Sequence, residues 1–394
     1  MSVLASCSRI SRVTRDLRRS GIREFFDIVS EMTDVISLGV GEPDFDTPWH
    51  ICDHVVNTLR RGQTSYTSNY GLPELRQEIA TMTARDWGVD YDWRTQILIT
   101  HGVSEALDLA LRALLDPGDE VMVPEPCYVS YAPCVEMAYG VSVPVVCQAR
   151  NEFKLLPADV EAAVTPRTKA LMIAFPSNPT GAVMTRDELA ALAEIAQRHD
   201  LVVISDEIYD RLTYEGTHTC FASLPGMTER TILLNGFSKA YAMTGWRLGY
   251  ACAPPDLLDA MMKIHQYTAL CASRIAQNAA LEALRSGETA RRKMVHEYNQ
   301  RRRMFVHGLN EIGWPCPEPK GAFYVFPSIG HTGMTSSDFA RDLLFEQKVA
   351  AVPGSAFGES GEGHIRCTYA TGTDNLREAL RRIERFLTDR GIQA

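Results

Sequence analysis

Through the first two thirds of the chain, short apolar runs alternate with amphipathic stretches. Gln96-Ile-Leu-Ile-Thr100, Val121-Met-Val123, Val141 to Val146, Lys169 to Ala174, Leu201 to Ser205 and Thr231 to Asn235 each read as a short strand. Uninterrupted apolar runs of that length, bounded by turn residues, suit strands buried on both faces. Helical patterns lie between them. Gly102-Val103-Ser104-Glu105 leads into the apolar-periodic Ala106 to Leu115. Pro157 opens a second helix, and Thr185 with Glu188 at its third position forms a capping-box signature for a third. Strand–helix alternation of this kind predicts an α/β fold with a mostly parallel sheet. After Tyr250 the pattern changes. Pro254-Pro255 opens long helical stretches to about Leu309. Gly321 to Phe326, Val349 to Val352 and Gly363 to Tyr369 read as strands, Ser337 to Glu346 as a helix, and Asn375 to Leu387 as a closing amphipathic helix. This predicts a second, smaller α+β domain. Residues 1–35 read as helical, and no internal repeat or low-complexity tract interrupts the chain.

Composition narrows the class. The 394 residues exceed one small core and suit two domains or one large elaborated one. A 45 % hydrophobic and 23 % charged content is that of an ordinary globular enzyme, and a net charge of −9 argues against a nucleic-acid-binding surface. No apolar run reaches the roughly 18 residues of a membrane span. The Ser-containing start with Arg9, Arg12, Arg15, Arg18 and Arg19 has the composition of a transit peptide, but a basic surface arm is the simpler reading. Without a signal-peptide apolar core, the protein is read as cytoplasmic. The ten cysteines are scattered with no C-x-x-C, so reduced thiols are expected rather than zinc or redox motifs.

Candidate chemistry centres on Asn235-Gly-Phe-Ser238-Lys239-Ala-Tyr-Ala-Met-Thr-Gly-Trp-Arg247. A lysine just past a buried strand loses solvation, which lowers its pKa and frees a nucleophilic amine. Ser238 and Arg247 beside it offer a hydroxyl and a guanidinium fork to a phosphate. A Schiff-base-forming amine next to a phosphate site is what pyridoxal 5'-phosphate requires. A second phosphate signal is the strand–Gly102–helix turn, whose first amides, at Gly102, Val103 and Ser104, are free; a plain helix cap reads equally well there. Asp206 ends one apolar strand, where a carboxylate needs a partner, and Tyr209 follows it. Asn178 leaves another strand in the loop Phe175-Pro-Ser-Asn-Pro-Thr-Gly181. Arg366 sits mid-strand among apolar neighbours; a carboxylate or an internal ion pair would satisfy it equally. Gly39 and Gly41 lack the third glycine of a dinucleotide loop, which sets aside a nicotinamide dehydrogenase. His50 and His54 lack the glutamate and third ligand of a metal site, so no metal is expected. Read alone, Tyr66 is a packing tyrosine, and Tyr128 suits a core, surface or stacking position equally.

Together these motifs resemble the class I/II, fold type I pyridoxal-phosphate-dependent aminotransferases. The resemblance runs from about Ile36 to Phe386 and is greatest to the prokaryotic branch of aspartate, aromatic and N-acetyl-diaminopimelate enzymes. The spacings agree: 28 residues from Asn178 to Asp206, 33 to Lys239 and 8 to Arg247. The resemblance implies a mainly parallel seven-stranded sheet flanked by helices, in a large cofactor domain at 46–285. Residues 1–45 would form an arm and part of the small domain, and 286–394 the rest of it. It further implies roles. Lys239 would carry the cofactor, Asp206 face its ring nitrogen and Tyr209 and Asn178 its ring oxygen, with Tyr128 stacked on the ring. Gly102, Val103, Ser104, Ser238 and Arg247 would bind the phosphate, and Gly39, Asn178 and Arg366 the substrate, with Gly39 and Arg366 on its carboxylate. Tyr66 would reach the neighbouring site of a homodimer. The expected activity moves the amino group of an aspartate- or aromatic-type L-amino acid to a 2-oxo acid such as 2-oxoglutarate. An N-acetyl-LL-diaminopimelate aminotransferase, a β C–S lyase and a non-catalytic cofactor-binding regulator are the alternatives.

Overall fold

The computed structural model describes residues 9–17 and 32–392. Of the helical N-terminus expected from the sequence, a short helix at Arg12–Asp16 falls within these residues; most of the rest lies outside them. The strands, in chain order, are β1 (Ile36–Ser37), β2 (Ile97–Thr100), β3 (Glu120–Glu125), β4 (Val141–Val146), β5 (Thr168–Ile173), β6 (Val202–Asp206), β7 (Thr231–Gly236), β8 (Gly249–Cys252), β9 (Tyr324–Val325), β10 (Val349–Ala350), β11 (Val352–Pro353) and β12 (Ile365–Thr368).

β2 to β8 form one seven-stranded sheet in the order β2-β8-β7-β6-β5-β3-β4. β8 pairs antiparallel with both its neighbours, and the other pairings are parallel. The strands named from apolar runs are all here. β2, β3, β6, β7 and β8 are buried almost throughout, and alternate residues feed different cores. Ile204, Ile232 and Leu234 pack with the helix Gly102–Leu114, while Val203, Leu171 and Ile173 pack with the helix Arg186–Arg198. That second helix carries the expected capping box between Thr185 and Glu188.

A separate core gathers the helices Glu288–Glu311, Ser336–Gln347 and Thr373–Asp389 around β9, β12 and Leu38. Its strands are shorter than the apolar pattern suggests. The run Val349 to Val352 divides at Ala351, because β10 pairs with β1 whereas β11 pairs with β12. One apolar segment thus serves two small sheets. The nine described cysteines are all free. None of the described helices is long and apolar enough to cross a membrane.

Candidate active site

The strand period decides where Asp206 points. It shares a face with Ile204, toward Tyr131 and the helix Gly102–Leu114. Tyr131 Oη donates to Asp206 Oδ2 at 2.8 Å, and the Ile208 amide to Oδ1 at 3.2 Å. Burial dominates over both hydrogen bonds and pushes the carboxyl up to about 6. Tyr128 stands edge-on to Tyr131, ring centroids 5.6 Å apart.

Lys239 follows β7, and its Nζ donates to the Gly41 carbonyl. The amine lies 5.9 Å from the Tyr209 ring centroid and 5.7 Å from that of Phe323. Burial lowers its pKa most. Arg366 and Arg247 push the same way against Glu42 and Asp206, and the result is about 8. A neutral amine is therefore available near neutral pH.

Arg366 is only 3 % exposed, more deeply buried than its sequence position suggests. Its Nη1 donates to Asn178 Oδ1 at 2.9 Å and its Nη2 to the Gly39 carbonyl. The guanidinium lies 4.5 Å from the Tyr324 ring centroid and 4.8 Å from that of Phe357. Nε has no partner among the described residues. Tyr324 Oη in turn bonds to Tyr209 Oη at 2.8 Å.

A third group forms where β2 turns into the helix Gly102–Leu114. Gly102 has φ +76°, and a Cβ there would sit 3.0 Å from Arg247 Nη2. Gly249 on the neighbouring strand permits the approach from below, since a Cβ on it would lie 2.7 Å from the Gly102 carbonyl carbon and the Val103 amide. Ser238 is buried, whereas Ser104 and Arg247 are exposed. A helix N-terminus, a guanidinium and a hydroxyl fit a phosphate ester. The lowered amine and the buried acid fit the aldehyde and ring of pyridoxal phosphate, and the unpartnered Arg366 Nε offers a further donor to a carboxylate.

Among the residues singled out from sequence, Arg366 meets Asn178 and Gly39, Arg247 meets Gly102, and Lys239 is within electrostatic reach of Asp206 and Arg247. Tyr66 is different: it is 81 % exposed. Tyr131, Phe323, Tyr324, Phe357 and Gly249 were not read from the sequence. Tyr324 carried a signal, a hydroxyl inside the apolar run Ala322-Phe-Tyr-Val-Phe326, because a buried phenol needs a partner.

The family profile described as aminotransferase class I and II matches residues 33–383. An aspartate aminotransferase of Pyrococcus abyssi is 46 % identical over 376 residues, covering 95 % of this chain and 97 % of its own. An aromatic-amino-acid aminotransferase of Thermococcus litoralis is 45 % identical over 376 residues, with the same coverage of 95 % and 97 %. The crystal structure of an aromatic aminotransferase from Pyrococcus horikoshii superposes with a TM-score of 0.90 at 45 % identity, covering 94 % of this chain and 100 % of that one.

Proposed function

Because the chain belongs to the class I and II aminotransferases, which depend on pyridoxal 5'-phosphate, we propose that it moves the α-amino group of an aspartate- or aromatic-type L-amino acid to a 2-oxo acid such as 2-oxoglutarate. When bound, the cofactor supplies an aldehyde that condenses with amines and a ring that accepts the electron pair freed at the substrate Cα. Lys239 holds that aldehyde until the substrate amine replaces it. Once released, the Lys239 amine would take the Cα proton as a base and return it as an acid to the cofactor carbon across the shared nitrogen. Asp206 keeps a proton on the ring nitrogen, and pairing with that positive charge offsets the cost of burying its own. Tyr209 and Asn178 would bind the ring oxygen, and Tyr128 would stack on the ring. Gly102, Val103, Ser104, Ser238 and Arg247 bind the phosphate. Arg366 and Gly39 orient the substrate carboxylate, and Asn178 Oδ1 steadies the guanidinium that does so.

The observation that carries this reading is the Lys239 amine with its lowered pKa, which follows the strand beside that ending in the buried Asp206 and lies within electrostatic reach of Arg366. Borohydride should trap the cofactor on Lys239. Lys239→Ala should lose the near-visible absorbance and about 10³-fold or more of the turnover; normal turnover in that variant contradicts the assignment. Relatives of nearly equal identity are named for aspartate and for aromatic substrates, so the donor is decided by experiment. A panel of amino donors, N-acetyl-LL-diaminopimelate included, assayed with 2-oxoglutarate separates them. Pyruvate release from cysteine-type substrates without a 2-oxo acid would mark the lyase instead.

The assembly and layout belong to the same proposal. Tyr66, Trp49 and Tyr267 stand 81, 74 and 87 % exposed in the single chain, as aromatic side chains covered by a second copy would. Tyr66 of the partner subunit then completes the phosphate site. Light scattering should give a dimer, and Tyr66→Phe should weaken cofactor binding without dissociating it. The large domain is taken as 46–285, with 1–45 and 286–394 forming the arm and small domain; the pairing of β1 with β10 supports that grouping. The location is taken as cytoplasmic, which fractionation checks.

A further inference from the structure

The helix Gly102–Leu114 begins without a side-chain cap, since His101 at its N-cap offers no acceptor to the first amides. Those N–H groups stay free for an anion. The acceptor comes from inside the helix and reaches back past them. Glu105 Oε2 accepts from the His101 amide at 2.6 Å, and Glu105 Oε1 meets His265 Nδ1 at 2.9 Å. His265 lies on the helix Pro255–Thr268 and is 0 % exposed. Its Nε2 has no partner among the described residues, so the ring's one polar contact from its side chain is Glu105.

A carboxylate in the first turn suits the helix dipole but repels a phosphate bound at the same turn. Burial alone would raise the pKa of Glu105, yet the hydrogen bonds from His265 and His101 hold it below the ordinary carboxylate range, so the charge is present. A buried histidine that spends its only side-chain contact on that charge is therefore placed where it bears on the phosphate.

We propose that Glu105 and His265 act as a positioning pair for the cofactor phosphate. Glu105 binds the His101 amide and fixes the turn that presents the Gly102 to Ser104 amides. His265 donates its Nδ1–H to the other oxygen, and that hydrogen bond draws part of the carboxylate's charge away from the incoming anion. The inference rests on reading the Gly102–Ser104 turn as the phosphate site.

The test compares pyridoxal 5'-phosphate with pyridoxal, which lacks the phosphate, in absorbance titrations of apoprotein. His265→Leu should weaken the phosphate ester about tenfold and leave pyridoxal within about twofold. Adding Glu105→Gln should recover most of the loss, because the amide still accepts from His101 but carries no charge. His265→Asn keeps an N–H donor and should stay near wild type, which holds the test open if His265→Leu folds poorly. Equal weakening of both aldehydes, or a double variant no better than His265→Leu, overturns the inference while leaving the cofactor reading intact. A wild-type protein that binds pyridoxal and its phosphate ester equally overturns the phosphate site itself, and the inference with it.

Discussion

Burial pushes both Asp206 and Lys239 toward their neutral forms, against the charge Asp206 needs and toward the free amine Lys239 needs. The folded carboxyl of Asp206 titrates near 6 against an ordinary 3.8, so the folded apoprotein binds that proton more tightly than the unfolded chain. Its contribution is complete below about pH 4 and is lost as pH rises through 6. Above that, the ionised acid costs on the order of 3 kcal/mol. Asp206→Asn should therefore raise the urea midpoint of the apoprotein at pH 8 and change it little at pH 4, while turnover falls about 100-fold or more. Equal midpoints at pH 8 would contradict the burial argument. For Lys239 the folded value is depressed to about 8, so the reactive neutral amine grows as pH rises through 8. The rate of cofactor uptake by apoprotein, followed by absorbance, should rise with its midpoint near there. A midpoint above 10 would mean the amine is solvated.

At the scale of elements, the proposed phosphate site depends on two backbones approaching each other. β8 is the one antiparallel strand of the large sheet, and its Gly249 lies against Gly102 and Val103. Gly249→Ala puts a methyl group where backbone already stands, with nothing flexible to yield. It should cost about 1–3 kcal/mol in folding and weaken cofactor binding about tenfold; unchanged cofactor affinity would mean the turn tolerates displacement. Gly102→Ala adds the strain of φ +76° and presses on Arg247. The apolar runs announced β2 to β7, and the capping box announced the helix Arg186–Arg198, because these signals are local. The close approach of β8 to the turn was not legible, since a glycine that admits a distant backbone looks like any other in sequence.

Across the whole molecule, the segment after β1 ties the two main bodies of structure together over the site. The Gly39 carbonyl accepts from Arg366 and that of Gly41 from Lys239. Asp44 takes both oxygens to Arg301 Nη1 at 2.8 and 2.7 Å, and Thr47 Oγ1 donates to the Ala242 carbonyl at 2.7 Å. Asp44→Asn leaves the largely buried Arg301 short of charge. It should lower stability by about 1–3 kcal/mol and raise the KM for the amino acid more than it lowers kcat, because the tether positions carbonyls rather than reacting groups. A KM unchanged beside a lost stability would show the tether to be purely structural.

The sequence by itself determined the alternation of strands and helices, the switch in character after Tyr250, and the set of polar residues at strand ends: Asn178, Asp206, Tyr209, Lys239 and Arg247. Each of these is written in a few consecutive residues, where burial period and turn chemistry act. Only the tertiary structure decided that Arg366 is held by Asn178 and Gly39, that Tyr131 and Tyr324 engage Asp206 and Tyr209, and that Glu105 is bound to His265 across 160 positions. Those contacts join segments far apart in the chain, and no local rule of pattern or propensity records which distant partner a buried polar group will find.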